Sequence, residues 1–153
     1  MNFTLLHTAE FDIAPIEAAL LSEGVVAVLV ESGSILEAND GPTVFVSVPE
    51  DRSSFSDAQL RGFIDSGGSI VAIGTENEPD IPEALDEELL AAYLPRSHGT
   101  RQLLLALKTA YRAAAARADS ISAREEAALR TREIGELTKI GMALSTEHDY
   151  EEL

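Results

Sequence analysis

Apolar residues in the first hundred positions fall into short unbroken runs, separated by stretches where they recur every three or four residues. Phe3–His7 (FTLLH) predicts a strand. Ile13–Glu23 predicts a helix, because Ile13, Ile16, Ala19, Leu20 and Glu23 trace one face. Asp12 is placed to cap that helix, Pro15 falls in its first turn, where a missing N–H costs nothing, and Gly24 ends it. Val25–Val30 (VVAVLV) has no alternation, the pattern of a strand buried on both faces of a parallel sheet. Ser34–Ala38 predicts a short helix, and Asn39-Asp40-Gly41-Pro42 a turn. Thr43–Val48 (TVFVSV) predicts the next buried strand, closed by Pro49. Phe55–Ser66 predicts a helix with Phe55, Leu60, Phe63 and Ile64 inward, broken by Gly67-Gly68. Ser69–Gly74 predicts a fourth strand, Glu76–Glu88 a loop with a short helix, and Leu89–Leu94 contains a fifth strand. Strands alternating with helices predict a doubly wound parallel α/β sheet, and the right-handed crossover rule favours the order 2-1-3-4-5.

The pattern then changes. From Thr100, read as a cap, to about Leu144 there is no proline, and alanine, leucine, arginine and glutamate dominate. One helix of this length would run roughly 65 Å, more than a domain of ordinary size covers. Leu107, Tyr111, Ala114, Ala118, Ile121 and Ala128 recur at four-three steps, and Ile134, Leu137, Gly141 and Leu144 form a second seam out of phase with the first. Such seams predict a parallel coiled coil, so a homodimer through the C-terminal helix, with a slip near Ala128–Ile134 where the seams meet.

Charge divides the chain at the same place. Residues 1–100 hold 18 acidic residues against three basic ones, which excludes a phosphate-backbone partner there; residues 101–153 hold nine against eight, the mixed surface of a solvated helix. With no cysteine there is no disulfide, thiol nucleophile or thiolate metal site. No apolar run is long enough for a membrane span, and the N-terminus lacks the basic head of a signal peptide, so a cytoplasmic protein is expected.

The order of the elements and the segment YLPRSHGTRQLLLALKTAYR resemble a bacterial response-regulator receiver domain over roughly residues 1–112. Tyr93-Leu94-Pro95 matches the family's fifth-strand motif, with Arg96 at its lysine and Ser97 at the following proline. The resemblance implies an acidic Mg²⁺-binding pair after the first strand, a phosphoaccepting Asp ending the third, a hydroxyl after the fourth and a Lys after the fifth. Here His7 and Thr8 stand at the acidic pair, with Glu10 the nearest carboxylate. Ser47 stands at the phosphoacceptor and Gly74, followed by Thr75, at the hydroxyl. Only Arg96 keeps its counterpart's charge, and arginine does not replace lysine neutrally. Hard Mg²⁺ needs carboxylate oxygens, and the first and third strands contain no Asp or Glu. The expectation is a degenerate, non-phosphorylatable pseudo-receiver without cofactor, metal or catalytic residues. Glu50 and Asp51 are acidic neighbours of the third strand, but no spacing rule makes them ligands.

Glu136–Leu153 (ELTKIGMALSTEHDYEEL) resembles the approach to a GAF sensory domain, a pattern found ahead of GAF domains in HD-GYP-type cyclic-dinucleotide phosphodiesterases. Asp149 and Glu152 have capping-box spacing, so a new helix is expected there. The organisation expected is a receiver-like domain over 1–112, a signalling helix over 113–145 and the start of a further domain over 146–153, the whole being part of a longer protein.

His7, His98 and His148 lack ligand spacing, and the glycines form no phosphate-binding loop. Two functions stand. One is a signalling and dimerisation module, with a protein partner on the receiver-like domain, that relays a signal through the coiled coil to a GAF-linked output such as a cyclic-di-GMP phosphodiesterase. The other is a receptor for a small anion or nucleotide at the C-terminal edge of the sheet, where Thr8, Glu10, Ser47, Thr75 and Arg96 would converge.

Overall fold

The strand runs pair into one parallel sheet of order β2-β1-β3-β4-β5, where β1 is Asn2–His7, β2 Val26–Glu31, β3 Thr43–Ser47, β4 Gly68–Ile73 and β5 Ala92–Leu94. This computed structural model describes residues 1–33, 35–38, 41–51, 53–75 and 87–151, with backbone alone for 87 and 145–151. Three α-helices lie among the described residues: α1 (Ala14–Ser22), α2 (Asp57–Asp65) and α3 (Thr100–Glu151). The chain divides into two compact units, Met1–Ala118 and Asp119–Leu153.

Local chemistry sets the element ends. Asp12 Oδ1 accepts the free N–H of Ala14 at the start of α1 (3.2 Å), and Gly24, at φ 68°, ends the turn that follows it. Ser56 and Gln59 form a reciprocal capping box on α2. Gly67 then reverses the chain at φ 105°, a conformation open mainly to glycine. Thr100 is the first residue of α3 rather than its cap; the Gly99 carbonyl accepts the Leu103 N–H instead, and the Gly99 N–H donates to Gln102 (2.9 Å).

The two faces of the sheet are covered unequally. Phe3, Leu5, Val44, Val46, Val71 and Ile73 point to one face, where Ile16 and Leu20 of α1 and Leu103, Leu107 and Ala110 of α3 close over them. Leu6, Phe45 and Ile70 point to the other, where Phe55 and Phe63 close over them. The Phe63 ring lies so close over Gly68 that no Cβ fits there unless the ring shifts.

Several expectations are corrected. Strand β2 is not buried on both faces: Val26, Val28 and Val30 stand 60%, 59% and 36% exposed. Residues 35–38 form no helix; Ser34 and the expected turn at Asn39-Asp40 lie outside the described residues, as does 76–86 of the acidic segment. The expected fifth strand within Leu89–Leu94 is present as the short β5, preceded by a 3₁₀ turn, Glu87–Leu89. No new helix begins at Asp149; α3 is continuous to Glu151, through Gly135 and Gly141. A helical glycine costs about 1 kcal/mol, which weakens a helix without ending it.

The first seam of the expected coiled coil also has another role. Leu107 and Ala114 are fully buried within Met1–Ala118, and Tyr111 packs its ring on Phe3 (centroids 5.8 Å apart). Ala118 is half-buried in the same unit. Leu107 and Tyr111 pack against the sheet core.

Candidate functional site

A parallel sheet carries the C-terminal ends of its strands to one edge, where open α/β folds bind ligands. Five of the seven sequence-predicted positions end or follow β1, β3 and β4 there, and Arg96 follows β5. His7 ends β1 and Thr8 follows it, both 8% exposed. Ser47 ends β3, half-buried and registered beside Ala72. Gly74 is buried and donates its N–H to the Leu94 carbonyl (2.7 Å), tying β4 to β5. Thr75 is half-buried; Glu10 and Arg96 are exposed.

The residue that organises this edge is Asp51, only 3% exposed. Pro49 cannot extend the β3 ladder, and the chain folds into a 3₁₀ turn, Pro49–Asp51, that brings the Asp51 carboxylate back over the strand end. Thr8 Oγ1 donates to Asp51 Oδ1 (2.7 Å), and the Val48 N–H donates to Asp51 Oδ2 (3.0 Å). Both carboxylate oxygens are engaged, and the β1–α1 and β3–α2 connections are joined. Hydrogen bonds to a carboxylate contribute about 1.5–3 kcal/mol each, more than neutral ones. His7 Nδ1 lies 3.0 Å from the Thr8 carbonyl, and its ring faces Phe11.

Arg96 is also occupied. Its guanidinium donates to Glu50 Oε1 at 3.1 Å, with the two side chains 50% and 42% exposed, so the cation once assigned to an anion meets a carboxylate of its own chain. Among the described residues no three His, Asp or Glu side chains gather to hold a metal ion. Two separate polar pairs thus occupy the strand ends, Thr8–Asp51 buried and Arg96–Glu50 exposed. Asp51 was visible only as an acidic neighbour of β3; its partner Thr8 is 43 residues away, and no spacing rule connects them.

In the second unit the residues of the other seam are open. Ile134, Leu137 and Leu144 are 64%, 68% and 62% exposed, Leu129, Ile140 and Met142 are similarly exposed, and Ile121 is half-exposed. Ala128 is exposed, and Gly141 lies within the continuous helix. No described helix is long and apolar enough to cross a membrane.

No protein-family model matches the chain, and no curated protein sequence matches it significantly. Solved structures do resemble it. The chain is similar to a pilus assembly protein CpaE from Caulobacter crescentus, at 14% identity and a TM-score of 0.44, over 70% of this chain and 96% of that one. It is similar to a CheY-like response regulator receiver domain protein from Methanospirillum hungatei, at 14% identity and a TM-score of 0.45, over 72% and 92%. A trimeric coiled-coil segment of yeast Spc42 fused to another solved structure gives 16% identity and a TM-score of 0.50, over 92% and 95%. These identities concern the fold alone, and the strand order itself is the one that flavodoxin-like and CheY-like sheets have.

Proposed function

We infer that the chain is a non-phosphorylatable, receiver-like signalling and dimerisation module. The observation that carries this reading is the engagement of Asp51. This buried carboxylate after β3 has both oxygens taken by Thr8 and Val48, and the one cation retained from the receiver pattern, Arg96, is on Glu50. Loading Mg²⁺ and a phosphoryl group would require breaking these bonds without the acidic cluster that repays it. Information then leaves through α3, whose Ile134, Leu137, Gly141 and Leu144 seam pairs two copies in parallel. A change of helix register or rotation carries the signal toward a following GAF-linked output, of HD-GYP type on the resemblance of Glu136–Leu153. The anion- or nucleotide-receptor reading loses its main support with Arg96 engaged.

Incubation with acetyl phosphate and Mg²⁺, followed by intact-mass measurement, tests this reading. The expected result is no added phosphoryl mass on the full chain. Stoichiometric phosphorylation at Asp51 or Ser47 would overturn the reading.

A further inference from the structure

In a sheet of this order the β2–β3 connection crosses β1 on the face opposite α1, and a helix in that connection would cover the outer half of that face. In this chain the connection is residues 32–42, and its described part contains no helix. Among its described residues, Leu36 and Ala38 join the small cluster around Phe45. Val26, Val28 and Val30, in register with Asn2, Thr4 and Leu6 of β1, are therefore left in solvent. A parallel strand is ordinarily covered on both faces, and a bare apolar row of this kind marks a binding surface.

We propose that this bare face of β2 is a docking surface for a basic amphipathic helix of another protein. The six residues of β2 span about 20 Å, the length of a helix of roughly 13 residues. At one end Val30 borders a cleft of about 280 Å³ with Leu6 and Ile35, large enough for an aliphatic side chain. The rim of this cleft is acidic: Glu31 and Glu37, both exposed, line it, and no basic side chain does. Leucine or isoleucine at i, i+3 and i+7 would lie along the valines, with lysine or arginine flanking them. A second copy of the chain is the poorer occupant, since it would set carboxylates against carboxylates. The surface gives the protein-partner part of the signalling reading a location, and it does not depend on pairing through α3.

The test uses a fluorescein-labelled helical peptide of leucine and lysine with all leucines on one face, titrated against the full chain. A scrambled peptide of the same composition, Val28→Asn and Leu137→Asp serve as comparisons. Expected are saturable binding of one peptide per chain and at least ~10-fold weaker binding of the scrambled peptide, a difference of about 1.4 kcal/mol. Val28→Asn should weaken binding by a similar factor with an unchanged melting temperature. Leu137→Asp should bind as the parent chain does, which separates this surface from the coiled coil. Equal binding of both peptides would reduce the effect to the chain's net charge and overturn the proposal. So would binding indifferent to Val28→Asn, or a loss of self-association in that variant, which would make a second copy the occupant.

Discussion

The two faces of the sheet are built from similar residues and reach different ends. On one face, Ala27 and Leu29 of β2 join a core closed by α1 and α3. On the other, Val26, Val28 and Val30 of the same strand remain in water. The difference does not lie in the strand, whose bare side carries three valines against Ala27 and Leu29 on the covered side. It lies in the two connections that flank it, since the one before β2 folds as α1 and the described part of the one after forms no helix. Burial in an α/β sheet is thus set by what crosses over a strand, and an apolar run is only an offer of burial.

That contrast can be broken or sharpened by substitution. The largest effect is expected on the covered face, where Leu107 is fully buried: Leu107→Ala should destabilise Met1–Ala118 by about 2–5 kcal/mol in denaturant unfolding. Were Leu107 a coiled-coil residue, the same change would alter association instead. At the strand ends, Asp51→Ala leaves Thr8 Oγ1 and the Val48 N–H without their acceptor and should cost about 1–3 kcal/mol by the same measurement. Ser69 Oγ is buried with no hydrogen-bond partner among the described residues, so Ser69→Ala should raise stability, by up to ~1 kcal/mol. On the bare face, Val28→Ala should change stability by less than about 0.5 kcal/mol, because a side chain 59% exposed loses little packing. A cost at Val28 approaching that at Leu107 would mean that the two faces do not differ.

The same contrast explains which features could be read from the residues. Strand order followed from apolar runs separated by helical spacing and from the handedness of crossovers, which are local and chiral constraints. The exposure of β2 did not, because VVAVLV carries no information about the 32–42 connection that leaves it bare. The Leu107–Ala118 spacing was visible, but its destination was not: a helix meets a sheet and a partner helix with the same four-three steps. His7 and Ser47 do end β1 and β3, but the bonding of Asp51 was not legible, because a 3₁₀ turn returns it to a threonine from another connection.

If Leu107, Ala110 and Ala114 belong to the sheet, pairing between chains rests on the exposed seam of the second unit, and Leu137 is its most exposed member. Sedimentation equilibrium of the full chain and of Leu137→Asp tests this directly. The expected result is twice the chain mass for the parent protein and a single chain mass for the variant, with unfolding of Met1–Ala118 unchanged. The same mass for both, whether one chain or two, would contradict it.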